Sequence, residues 1–134
     1  MSNFTFHIHY IFPTSSLEIY GDALNTLFGG AENNPFGKDS ILNKIPLPSG
    51  SAFADALSAL NAANNTVFSD LGIGANYHGG GHQSYNTFVS GVLEQIFNQP
   101  GLDTYQQQVA VFALHSFLTD MAVSGEPRFS EIFG

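Results

Sequence analysis

From residue 3 to residue 12 the chain alternates. Phe4, Phe6, Ile8, Tyr10 and Phe12 fall on one side, and Asn3, Thr5, His7, His9 and Ile11 on the other. A period of two predicts a β-strand with one apolar face, and Pro13 closes it. Ser15 and Glu18 then stand at capping-box spacing ahead of Leu17, Tyr20, Leu24, Leu27 and Phe28, which predicts a helix that stops at Gly29-Gly30. Residues 30–50 are dense in Gly, Asn and Pro. Their apolar positions fit short extended pieces around Ile41 and from Ile45 to Leu47, as in a loop-rich hairpin.

Residues 51–63 are rich in Ala and Leu and predict a helix, whereas the glycines between 69 and 82 exclude regular structure over most of that stretch. The clearest helix runs from Ser84 to Asn98, with Tyr85, Phe88, Val89, Val92, Leu93, Ile96 and Phe97 on one face, and Pro100 ends it. Asp103 with Gln106 can cap a last helix reaching about Val123. Its Val109, Val111, Phe112, Leu114, Leu118 and Met121 wrap so far round that it is expected to be largely buried. No internal repeat or second domain is visible, so the pattern predicts a mostly helical α+β domain over residues 1–134.

Composition narrows the chemistry. The chain is 43% hydrophobic, with 13 Phe among 134 residues, enough to build a core. It has no Cys, so neither a disulfide framework nor a thiolate metal site is open to it, and any metal must sit on His, Asp or Glu. No apolar run approaches the roughly 20 residues of a membrane span, and the first residues lack the basic flank of a signal peptide. The sequence therefore reads as soluble, with no membrane partner. Eleven acidic residues against three basic ones give a net charge of −8, which repels phosphate polymers on average. Lys38, Lys44 and Arg128 are the fixed cations that could meet a phosphate.

The five histidines stand out in such a chain. His7 and His9 share a strand face about 7 Å apart, and His78 and His82 bracket Gly79-Gly80-Gly81 just before a helix. Neutral imidazoles bind divalent metals, and the glycines allow a close backbone approach to an ion or phosphate. Solvent-facing polar residues would account for the same spacing. His115, among Val111, Phe112 and Leu118, is expected to be a hydrogen-bonded core histidine outside any site.

Three pieces in order carry a resemblance. His9-Tyr10-Ile11-Phe12-Pro13, then Asn43-Lys44-Ile45-Pro46-Leu47-Pro48, then His78-Gly79-Gly80-Gly81-His82-Gln83-Ser84-Tyr85-Asn86 followed by Val89 and Leu93, resemble the AHH group of His-Me finger (HNH-like) nucleases over residues 9–97. The resemblance implies a small ββα-metal unit embedded in helices. It also implies an endonuclease toxin domain that hydrolyses DNA, or less readily RNA. Such a domain would be secreted or delivered into a target cell, would act in the target cytoplasm, and would be neutralised in its producer by an immunity protein.

By the same resemblance His9 and His82 are metal ligands. His78 is a third ligand or a phosphate contact, Asn43 braces the loop, and the cofactor is one divalent ion, Mg²⁺ before Zn²⁺. The chain departs from the group at Tyr10, where a second histidine is expected as general base. Phenols ionise near pH 10 and imidazoles near 6.5, so tyrosine there is expected to weaken hydrolysis. Tyr10 also continues the apolar strand face and reads equally as core. Whether it is a substituted residue or native to the domain stays open. A catalytically inert metal- or protein-binding domain of the same fold is the alternative.

Overall fold

The computed structural model describes residues 6–76 and 82–133, the side chains of His82 and Ser130 excepted. In chain order come β1 (Phe6–Tyr10), α1 (Thr14–Leu27), β2 (Lys44–Pro48), α2 (Ser51–Ala62), α3 (Val67–Asp70), α4 (His82–Asn98), α5 (Thr104–Ser124) and α6 (Phe129–Phe133), with short 3₁₀ turns at Ala31–Asn33 and Ile41–Asn43. The fold is α+β and mostly helical, as the pattern predicts. Its sheet is one antiparallel pair of β1 and β2, with His7 opposite Leu47, His9 opposite Ile45 and Tyr10 opposite Lys44.

The sheet corrects two expectations. The 30–50 segment does not form a hairpin of its own: Ser40 caps a 3₁₀ turn where an extended piece was expected at Ile41, and β2 pairs back across α1 to β1. The apolar face of β1 is also not the inner one. Ile45 and Leu47 are buried on β2, and their partner positions on β1 are His9 and His7. His9 is therefore 5% exposed while Ile8 is 54% exposed. Apolar content alone did not decide which face the ladder turns inward.

β1 ends at Tyr10 rather than Phe12, because Ile11 and Phe12 bend into the core. Asn43 holds the bend: its Oδ1 accepts from Phe12 N at 2.6 Å, its Nδ2 donates to Phe12 O at 3.0 Å, and its carbonyl accepts from Ile11 N at 2.9 Å. α1 consequently starts straight after Pro13, which places Ser15 inside the first turn. The capping box expected from Ser15 and Glu18 does not form, and Ser15 Oγ is buried without a hydrogen-bond partner. The helix ends at Leu27, and Gly29 and Gly30 follow with φ of 86° and 130°, as expected of a glycine stop.

α1 packs on α4 and α4 on α5, and Ser16 Oγ meets Ser90 Oγ at 2.7 Å between the first two. α4 starts two residues before the expected Ser84, and Tyr85, Val89, Leu93 and Ile96 form its buried face. Asp103 and Gln106 make the expected reciprocal cap on α5, which closes at Gly125 with φ of 78°. The expectation that α5 is largely buried fails on its outer side. Val111, Leu114, Leu118 and Met121 are inside, but Val109 and Phe112 are about half exposed, because a single apolar core covers one side of this helix. α3 takes the start of the glycine-rich stretch, and residues 77–81 lie outside the described residues.

The segment 74–76 ties the two ends of the fold together. Gly74 N donates to Pro46 O, and Ala75 N and Asn76 N both donate to Ala122 O. Asn76, fully buried, donates through Nδ2 to Met121 O and Pro127 O and accepts from Phe129 N through Oδ1. α6 had no signal in the sequence. Five residues are too few for a helix to form alone, and tertiary bonds of this kind hold it.

Candidate functional site

The end of β1, the bend at Phe12, the first turn of α4 and the start of α6 meet around His9. Tyr85, one turn into α4, reaches across the bend: its Oη donates to Ile11 O at 2.7 Å and stands 3.3 Å from His9 Nε2. The two rings meet edge-on at 5.0 Å, and Phe129 lies 5.1 Å from the His9 ring. Burial pushes the Tyr85 phenol well above its ordinary value near 10, so this hydroxyl stays protonated and cannot serve as a base.

A cavity of about 230 Å³ opens beside this cluster, and His9, Tyr10, Thr14, Tyr85 and Asn86 are among its lining residues. His9 and Tyr10, which the sequence proposes for the site, thus share one cavity. The Tyr10 ring has Lys44 Nζ 6.0 Å from its centroid, at the long end of cation–π range. Asn43 is fully buried, with both ends of its amide engaged on Phe12. It acts on the shape of the bend that follows Tyr10 and is not among the residues lining the cavity.

His82 is the first residue of α4. Its side chain and the whole of His78 lie outside the described residues. His7 is exposed on β1. His115 sits apart: its Nε2 donates to Leu42 O at 2.7 Å, Thr119 Oγ1 is 3.4 Å from Nδ1, and Phe12 and Phe36 flank the ring. Burial holds its imidazole below the ordinary value, partly offset by the Leu42 carbonyl. These are the surroundings of a structural histidine.

Among the described residues no three His, Asp or Glu side chains gather as a metal set. The cavity supplies one imidazole, together with neutral hydroxyl and amide groups. One neutral imidazole can furnish a single ligand position for a divalent ion. A larger cavity, about 750 Å³, is lined by Asp55, Glu126, Arg128 and Glu131, but its guanidinium is already bound to Asp55 and to Ala75 O. Lys44 is likewise 3.7 Å from Asp39. Two of the three fixed cations are thus balanced within the fold.

Residue-by-residue reading missed two members of the cluster. Tyr85 was read as part of an apolar helix face, although the Tyr-Asn of the third motif marked the position. Phe129 lies beyond residues 9–97 and had no local signal. No known protein family, curated protein or solved structure matches the chain.

Proposed function

We propose that this chain is a metal-dependent endonuclease domain of the AHH toxin type, weakened at its general-base position. One observation carries the reading: the three separated motifs fold onto one another. His9 meets Tyr85, Tyr85 binds the backbone of Ile11, Asn43 fixes Phe12, and Ile45 pairs with His9. The cavity thereby gathers His9 and Tyr10 of the first motif with Tyr85 and Asn86 of the third.

In this reading His9 and His82 hold a divalent ion, with His78 as third ligand or phosphate contact. The ion when bound supplies charge stabilisation to a phosphodiester. Tyr85 and Phe129 confine the His9 ring, and Asn43 sets the bend that follows Tyr10. Tyr10 occupies the place of the residue that takes a proton from water, and a protonated phenol accepts poorly at neutral pH. The substrate is DNA before RNA. The domain acts in the cytoplasm of a target cell after delivery, and in the producer an immunity protein covers a surface that blocks substrate approach. The charge of −8 and Tyr10 favour a second reading, a catalytically inert metal- or protein-binding domain.

Strand cutting decides between them. Supercoiled plasmid and labelled RNA are incubated with this chain and with Tyr10→His, in Mg²⁺, Mn²⁺ or Zn²⁺. Slow nicking by the chain, rising at least about a hundredfold in Tyr10→His, is the expected result. Folded proteins that bind the ion and cut nothing, with or without the substitution, would favour the inert domain.

A further inference from the structure

A helix that is apolar right round its axis belongs inside a protein. α5 is such a helix: between Thr104 and Thr119 it has no Asp, Glu, Lys or Arg, and Asp103 and Asp120 bound the stretch. Its inner side faces the core through Val111, Leu114, Leu118 and Met121. On the outer side Tyr105 is 72% exposed, and Val109, Phe112 and Phe117 are each about half exposed. At 3.6 residues per turn these outer positions fall within about 140° of one another, on one side of the helix. Edge-on contacts with Phe28 and Phe36 hold the Phe112 ring in place. The turn at Ile41–Asn43 extends the face: Leu42 O accepts from His115 Nε2, one turn beyond Phe112, and Ile41 and Leu42 are both exposed.

We propose that this outer face of α5, with the Ile41–Asn43 turn at its edge, is where two copies of the chain pair about a two-fold axis. The area is of the right order. At about 150–250 Å² for a whole ring, the exposed parts of Tyr105, Phe112 and Phe117 come to roughly 250–450 Å², already the size of the largest apolar patch on an ordinary monomer. Val109, Ile41 and Leu42 add to it, towards the roughly 800 Å² that each partner gives to a stable pair. Charge selects the occupant. Two molecules of net charge −8 repel, and they meet with least repulsion where neither carries a charge, as α5 does not from Thr104 to Thr119. A basic partner would be drawn to the acidic remainder of the surface, and an acidic partner finds no cation along that stretch. A two-fold axis sets the face against its own copy, so uncharged apolar surface meets the same. Pairing of this kind is independent of whether the domain cuts nucleic acid.

Sedimentation equilibrium of the chain from about 1 μM to 1 mM tests this. The mass should rise with concentration from the 14.4 kDa of one copy towards twice that value. Salt at about 0.5 M screens the net repulsion and should strengthen the pairing, whereas a pair that salt dissolves is held by charge and overturns the proposal. Val109→Glu sets like charges into the interface and should weaken pairing at least about tenfold. Tyr105→Glu should do the same, and because an acidic residue suits the first turn of a helix it decides the matter if Val109→Glu does not fold. Ile19→Glu, at an exposed residue on α1, should leave pairing unchanged. A folded chain that stays a monomer to about 1 mM overturns the proposal and leaves the face to a different protein. Pairing that survives both α5 substitutions overturns it as well, because the interface then lies elsewhere.

Discussion

Asn43 shows how one side chain can set the geometry of a cavity it does not line. Phe12 N–H and C=O are both satisfied by its amide, in a part of the fold where water does not reach. Asn43→Ala would strand both groups. At roughly 1–3 kcal/mol for each unsatisfied buried group, we expect a loss of about 3 kcal/mol in urea unfolding. A loss under about 1 kcal/mol would mean that the bend is fixed by other bonds. His115 offers a second test at this scale. Burial depresses its folded-state value below the ordinary 6.5, so the unfolded chain binds a proton at higher pH than the folded one. Its contribution is fully present above about pH 6.5 and is lost as pH falls from there through the lower folded-state value. Thermal melts at about pH 7.5 and 5.5 should therefore show a smaller acid-induced drop in Tm for His115→Gln than for the chain itself. An equal drop would place the titrating groups elsewhere.

Between elements, glycine positions separate close approach from mere helix dilution. A Cβ on Gly74 would lie 2.5 Å from Leu47 Cδ2 and 2.7 Å from Ala122 O, where β2, the 74–76 segment and the end of α5 are bonded together. Gly91, exposed on α4, has nothing within 4 Å of such an atom. Gly74→Ala should destabilise by about 1–3 kcal/mol. Gly91→Ala should stabilise by about 0.5–1 kcal/mol, because the helix gains propensity without a clash. Denaturant midpoints of the two variants should move in opposite directions, and a shift of the same sign would contradict this account of the junction.

The elements also mark what local pattern could and could not tell. The helices at 14–27, 82–98 and 104–124 were legible because their apolar spacing is a local feature, as is the Asp103–Gln106 cap of the last. The start of α1 shifted because Asn43, 31 residues beyond Phe12, sets where the bend before Pro13 falls. The face of β1 was misjudged for a related reason: Ile45 and Leu47 on a distant strand decide which side turns inward. α6 rests on Asn76 and the core rather than on its own five residues.

For the whole molecule, charge and site pull in different directions. A net charge of −8 gives a nucleic acid no general attraction, and Arg128 and Lys44 already face Asp55 and Asp39. Under the proposed reading, any affinity for phosphate would have to be built at the cavity itself, through a bound cation. Part of that cavity was legible in the sequence: His9 and Tyr10 line it, and Asn43 braces its edge, because each lies in a short motif. The aromatic enclosure by Tyr85 and Phe129 was not, since it exists only once α4 and α6 have packed against the strand end.

Crystals of the chain grown with Zn²⁺ and measured at its absorption edge test the central claim most directly. The account predicts one anomalous peak about 2.0–2.1 Å from a nitrogen of His9 and bonded also to His82, with His78 as a third ligand or beside it. A peak on His7, on His115 or among Asp55, Glu126 and Glu131, with none at His9, would contradict it.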